Sequence, residues 1–308
     1  MIGVIFGYGV FARSDSPNIL NLGPEFKVYV DQNRGSEWDT RWSNWKVFET
    51  KYSSYFSEGL CASQSDGCEE KKKLRLREFF MALPRLEPKL WNYFQSSAEA
   101  IEVQRRAFKK EFVDFKDDTL VVLMPSLLGF NGRVATIGER HVLLIAPDSL
   151  LDRADNLDVV FSHELFHVYQ FDRIGKGEIF RTMASPLWFE GFATWMSIFL
   201  NPGTGDAPAL MDDALAAYCS SPDHVSFLAK EYLSILSMKS DSPTVDTVYQ
   251  RWFLLSSNTV PTRRGYCLGL QVMRQLTHSQ DFKPLVALDE SQFTPLVLSA
   301  LENLAKGK

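Results

Sequence analysis

The chain has 308 residues, with 33 Lys+Arg against 38 Asp+Glu, a net charge of -5, 45% hydrophobic residues and 23% charged ones. This is the composition of an ordinary globular protein with room for one large domain or two lobes. The mild acidity without a basic stripe speaks against nucleic acid as a main partner, and no apolar run is long enough to make a stable membrane span.

The apolar stretch from Met1 to Ala12 lacks the basic start of a secretory signal and reads either as a signal remnant or as a strand. Phe26–Val30 suits a strand, and the aromatic-rich run Trp38 to Phe56 suits a helix. Cys61 and Cys68 bracket a loop-like segment, leaving a disulfide and two free thiols as the alternatives. Lys71, Lys72, Lys73, Arg75 and Arg77 read as the solvated start of a helix that runs to Met81. Helices are expected over Leu74–Leu83 and Pro88–Phe112. Thr119–Met124 is a short apolar run of buried-strand type. Arg133–Ile137 and His141–Ala146 flank Gly138-Glu139-Arg140 as a hairpin.

His163-Glu164-Leu165-Phe166-His167 follows, and carries the most chemistry in the chain. Residues four apart lie on one face of a helix, so both imidazoles reach one metal ion. Glu164 then stands where it can act on a water rather than on the metal. The segment from Leu157 to Gln170 has no Pro or Gly and almost no polar face, so the helix is expected to be buried, with Asp155 and Asp158 favouring its start. The alternative is a buried helix whose histidines hydrogen-bond to their neighbours.

The next helix is expected from an N-cap at Ser185 and a Pro186 in its first position to a stop at Asn201-Pro202-Gly203. Trp188, Phe192, Trp195 and Phe199 form its core stripe. Pro186, Glu190, Ala193 and Ser197 lie on another stripe, where Glu190 is the lone acid and needs a charge partner. A metal ion already held by two imidazoles is one such partner; an Arg or Lys is the other. Glu178, in the polar loop Gly175-Lys176-Gly177-Glu178, competes as third ligand, and the surrounding loop Phe171–Ala184 is a candidate lid. Two His and one Glu leave a fourth tetrahedral position open to water.

H-E-L-F-H followed by E-G-F-A-T resembles the gluzincin group of zinc metallopeptidases. Arg263-Arg264-Gly265-Tyr266-Cys267-Leu268-Gly269 is similar to a Gly-Tyr-x-x-Gly segment of bacterial gluzincin-like peptidases. The resemblance spans about residues 118–277. It implies one zinc ion per chain on His163, His167 and Glu190, Glu164 as general base, and a peptide or protein substrate. It also implies an oxyanion donor: Tyr266 first, with Arg264 and His224 as rivals. Tyr266 reads equally well as a core tyrosine. By the same resemblance the strand Gly132–Ile137 would pair with substrate backbone. Thr194 stands where some gluzincins have an Asp that orients a ligand histidine, and Gly129-Phe130-Asn131-Gly132-Arg133 has no acid for a substrate amino terminus. The second departure leans the expectation towards an endopeptidase.

Beyond residue 203 helices are expected around Ala207–Tyr218, Val225–Ser237, Thr244–Leu255, Gly265–Leu276 and Thr294–Leu304. The fold class is α+β and zincin-like: a small mixed sheet plus an active-site helix, with a mostly helical C-terminal lobe. Its regions are a mainly helical 1–117, a zinc-binding core 118–203 and a helical lobe 204–308. The expected function is zinc-dependent peptide-bond hydrolysis; the alternatives are an inactive binding protein of the same fold and a zinc hydrolase of another bond. A periplasmic or secreted location is favoured over a cytoplasmic one.

Overall fold

The computed structural model of the chain describes residues 18–61, 67–153, 155–174, 181–254, 261–278 and 281–307, with Cys61 described by its backbone alone. The expected N-terminal apolar stretch and Glu178 lie outside these residues. The fold is a mostly helical α+β structure with one four-stranded mixed sheet. It divides into two compact units: residues 1–105 with 116–154, and residues 106–115 with 155–308.

The first unit begins with β1 (Ile19–Asn21) and α1 (Gly23–Asn33). The strand expected over Phe26–Val30 is therefore part of a helix. Pro24 sits in its first turn, and Phe26, Tyr29, Val30 and Asn33 are buried at helical spacing, a period that five residues are too few to reveal. The aromatic run divides into α2 (Trp38–Lys51) and α3 (Ser53–Cys61). Their rings build the core: Phe26 packs on Phe79 at 5.1 Å, and Trp45 meets Phe48 and Phe56 at 5.5 and 5.4 Å.

The two helices expected over residues 74–83 and 88–112 are one, α4 (Cys68–Glu111), which continues through Pro84 and Pro88. Each proline removes a hydrogen bond to the carbonyl four residues back. Both prolines lie on the exposed side of the helix. Leu76, Phe79, Leu83, Leu86, Leu90, Phe94, Ala98 and Ile101 meanwhile keep a buried stripe unbroken past them, and that burial outweighs the two lost bonds. Arg105 ends this unit's share of α4. It is 2% exposed and donates to Asp117 Oδ1 at 2.8 Å and to the carbonyls of Thr119 and Asp117 at 2.9 and 3.0 Å.

The sheet has the order β1-β2-β4-β3, with β2 at Leu120–Leu123, β3 at Gly132–Ile137 and β4 at Arg140–Ile145. β2 pairs in parallel with both β1 and β4, while β3 and β4 form the expected hairpin. Gly138, at φ +63°, takes the first position of its two-residue turn, where a right-twisted hairpin needs a left-handed residue. β3 is an edge strand. The short α5 (Pro147–Arg153) closes the unit.

The second unit is helical: α6 (Leu157–Ile174), α7 (Ala184–Leu200), α8 (Asp206–Leu210), α9 (Asp213–Cys219), α10 (Pro222–Leu233), α11 (Val245–Phe253), α12 (Arg264–His278) and α13 (Glu290–Ala305). The helix expected over Ala207–Tyr218 is divided into α8 and α9. Met211 turns left-handed at φ 52°, and Asp212 then caps α9 by accepting from Leu215 N at 2.9 Å. At α6 the cap is Asn156, not Asp155: its Oδ1 accepts from Asp158 N at 2.9 Å. At α7 the cap position falls on Met183, not Ser185; Ser185 lies inside the first turn with its hydroxyl buried and unpaired among the described residues. The segment entering α7 is pinned, because buried Glu290 accepts from Arg181 N at 3.0 Å and from Thr182 Oγ1 at 2.5 Å. The remainder of the candidate lid, residues 175–180, lies outside the described residues.

α7 and α12 cross with their backbones in contact. A Cβ added to Gly191 would lie 2.5 Å from the Gly269 carbonyl carbon, and one added to Gly269 would lie 2.7 Å from Gly191 Cα. Backbone cannot move aside as a side chain can. A disulfide between Cys219 and Cys267, Cα atoms 5.9 Å apart, fastens the end of α9 to α12. Cys68 is also disulfide-bonded and no described cysteine is free; the Cys61 side chain lies outside the described residues. Gly191→Ala should destabilise the protein by about 1–3 kcal/mol through overpacking. Thermal unfolding followed by circular dichroism checks this, and an unchanged melting temperature would mean that the two helices are not in backbone contact.

Candidate metal centre

α6 is buried on nearly every side. Between Val159 and Gln170 every residue is buried except Glu164. α7 behaves alike: between Ala184 and Thr194 every residue is buried except Glu190. On α12 the residues from Arg264 to Leu270 are buried except Tyr266. Solvent thus reaches each of these three apolar stretches at the residue to which the sequence points for chemistry.

His163 and His167 are 4% and 6% exposed. Their Nε2 atoms lie 3.1 Å apart, and Glu190 Oε2 lies 3.2 Å from the first and 3.5 Å from the second. A tetrahedral ion with bonds of about 2.0–2.1 Å separates its ligand atoms by about 3.3 Å. The three contacts bracket that spacing, and these residues form a group that could hold one metal ion. The α6–α7 pairing that makes this possible is fixed at one end by Asn201, which donates to Ser162 Oγ at 3.1 Å and to Ser197 O at 2.9 Å. In the middle, Phe166 packs on Phe192 at 4.8 Å. At the other end, Phe171 meets Phe189 edge-on at 5.5 Å.

The electrostatics agree with the geometry. Burial penalises the Glu190 carboxylate, yet His167 and His163 together outweigh it and hold its pKa well below the usual carboxylate range. Burial likewise opposes charge on His167, and the charges of Glu190 and Glu164 overcome it, so that its pKa rises. An acid held ionised beside two imidazoles is a ready cation site. Glu190 makes no ion pair with Arg or Lys among the described residues, which removes the salt-bridge alternative.

Tyr266 lies over this group, its ring 6.2 Å from that of His163. Burial raises its pKa well above the ordinary phenol value, and Glu190 adds to the rise while Arg263 opposes it, so the hydroxyl keeps its proton. The other two candidate oxyanion donors are engaged elsewhere. Arg264 Nη1 donates to Glu231 Oε2 at 2.7 Å and its guanidinium stacks over Trp252 at 4.0 Å. His224 is exposed, stacked on Tyr218 at 4.0 Å, with Nδ1 3.1 Å from the Tyr218 carbonyl.

Several contributors were missed. Arg263 packs on the Tyr266 ring, its guanidinium 4.3 Å from the centroid, at a left-handed φ of 55° and with Nη1 donating to Leu210 O at 3.1 Å. A non-glycine residue held there costs strain that local structure must outweigh. Phe171 stacks on His167 at 5.6 Å. Neither has a signal in sequence, since both act through tertiary contact. Thr194 is not a histidine orienter: its hydroxyl donates to Glu190 O at 2.7 Å. The Nδ1 atoms of His163 and His167 have no protein partner among the described residues. Gln170, three residues beyond His167 on α6, is wholly buried with both amide atoms unpaired among the described residues.

No protein family, curated protein or solved structure matches the chain. The reading of the site therefore rests on its own geometry. Purified protein should retain close to one divalent ion per chain, and Glu190→Ala should lose most of it at unchanged helix content. Elemental mass spectrometry checks this; equal metal in both proteins would remove Glu190 from the site.

Proposed function

We propose that the chain is a zinc-dependent metallopeptidase, and an endopeptidase. The observation that carries this is the convergence of His163, His167 and Glu190, with solvent admitted at Glu164, Glu190 and Tyr266 in otherwise buried helices. Nitrogen, nitrogen and carboxylate donors with a fourth position open are the ligand set of a catalytic zinc rather than a structural one. Zinc bound there would supply Lewis acidity and make water acidic enough to attack near neutral pH.

Each protein group then has one task. His163 and His167 are held by burial in a single helix and present Nε2. Glu164 accepts the proton of the attacking water and returns it to the leaving amine. Tyr266, kept protonated by burial, donates its hydroxyl hydrogen to the developing oxyanion. Arg263 and Phe253 hold that ring in place, at 4.3 Å and 5.8 Å. One helical turn before Glu190, Pro186 lines a pocket of about 270 Å³ whose wall mixes Met183, Val245 and Tyr249 with Thr182, Ser240 and Asp246, a candidate place for a substrate side chain. The Cys219–Cys267 disulfide and the bonded Cys68 support an oxidising, extracytoplasmic setting.

The test is digestion of a broad peptide library by zinc-loaded protein. Wild type should cut internal bonds. Glu164→Gln should keep its zinc and lose about 10²–10⁴-fold in turnover. Tyr266→Phe should keep zinc and lose about 10²-fold or more; unchanged turnover would remove Tyr266 from the reaction. Zinc-loaded wild type that cuts nothing would sink the peptidase reading and turn attention to a non-peptide bond.

A further inference from the structure

We propose that Arg75, Arg133 and Arg153 form a receptor for a phosphate-type dianion in the first unit, separate from the chemistry proposed above. Three elements bring these guanidiniums to one loop, Ser126 to Arg133. Arg75 comes from α4 and lies directly on Gly129, where an added Cβ would sit 2.4 Å from its Nη1. The glycine is what admits it. Arg153, the last residue of α5, reaches the Leu128 carbonyl with Nη2 at 3.4 Å. Arg133, on β3, donates to the carbonyls of Glu58 and Gly59 at 2.9 and 3.3 Å and lies 5.5 Å from the Phe130 ring centroid.

None of the three has a carboxylate at ion-pair distance among the described residues; Arg41, Arg77 and Arg263 share that absence but each lies on an aromatic ring, at 4.6, 4.6 and 4.3 Å, so the convergence of three on one loop is what sets this group apart. In a chain of net charge -5, unpaired convergence of cations calls for an explanation. Arg75 carries the burden: burial and the charges of Arg133 and Arg153 all push its pKa down, and Glu78 alone opposes them. A bound anion relieves this crowding.

The loop beneath is built to hold still. Leu127 and Leu128 are left-handed at φ 54° and 61°, conformations that non-glycine residues keep only under constraint. Buried Asp148 supplies it, accepting from Ser126 N and Leu128 N at 3.0 Å each. Because those amides are already used, the donors left for a ligand are the guanidinium N–H groups beyond Arg133 Nη1 and Arg153 Nη2, which carbonyls already hold. Guanidinium forks bind oxyanions in pairs of parallel hydrogen bonds. Three forks exceed what one carboxylate can accept and suit a tetrahedral dianion, either the free ion or a phosphoryl group on a larger molecule.

The experiment is titration calorimetry of the full chain at constant ionic strength, with inorganic phosphate, phenyl phosphate and acetate. One phosphate should bind per chain, acetate should not compete, and Arg75→Gln or Arg153→Gln should weaken phosphate binding at least tenfold. Arg85→Gln, which removes an exposed arginine paired with Asp152, should leave it unchanged. Arg153 is exposed, so its variant tests the site even where Arg75→Gln lowers stability. Phenyl phosphate binding as well as, or better than, the free ion would uphold the site and identify a phosphorylated molecule as its ligand. No phosphate binding beyond acetate, or undiminished binding by Arg153→Gln, would overturn the proposal.

Discussion

Two glycines let α7 and α12 touch backbone to backbone, and the candidate centre hangs on that contact. Gly191 directly follows Glu190, and Gly269 lies three residues beyond Tyr266. The crossing therefore sets the carboxylate and the phenol relative to each other with little freedom. Helix pairs usually stand 8–10 Å apart, with side chains between them. Here side chains are absent at the contact, so the chemical groups one or a few residues away are brought closer than ordinary packing allows. Cys267, bonded to Cys219, ties the same stretch of α12 to α9. Phe253 fills the space beside Gly265, where an added Cβ would meet its ring at 2.4 Å. Small residues thus recur along α12 wherever a neighbour presses in.

The second feature of the centre is its dryness. Imidazoles and a carboxylate inside apolar helices would be costly if left unpaired. They converge instead on one another at hydrogen-bond range, and the same desolvation strengthens the attraction of Glu190 for both rings. The histidine Nδ1 atoms and the Gln170 amide remain without protein partners among the described residues. The opening itself is narrow in sequence terms: one residue on each of α6, α7 and α12.

The first unit solves a different problem. Its core is made of rings packed face to edge, from Phe26 through Trp45 to Phe56, and polar contacts such as Tyr29 to the Arg41 carbonyl and Asn44 to Asn33 join α1 to α2 around it. Buried polar braces stand at Arg105 with Asp117, where the chain leaves α4 for β2, and at Asp148, which braces the loop after β2. In both places a buried charge organises backbone that has left regular structure: Asp117 itself is left-handed at φ 55°.

Much of the candidate centre was legible in the sequence. The spacing of His163 and His167 dictates that both rings share one face of a helix, whatever surrounds it. Uninterrupted apolar residues around them dictate burial, and the lone acid at Glu190 on an apolar helix requires a cation. The Gly138 hairpin and the β2 and β4 strands were equally local matters of turn chemistry and apolar runs. Tertiary structure decided the rest. Phe26 to Val30 is helical because its buried stripe extends to Asn33, and α4 passes two prolines because a stripe longer than either predicted helix is buried as one. β1, with three residues, exists only through parallel pairing to β2, a partner about a hundred positions away. That Arg264 and His224 are held by Glu231, Trp252 and Tyr218, while the Tyr266 ring lies beside His163, is likewise a matter of tertiary contact. Sequence by itself determined which groups could meet on one helix, because helical geometry is periodic and local. It could not determine which groups meet across helices, because that depends on where backbones approach, and Gly191 and Gly269 announce that approach only once they are seen touching.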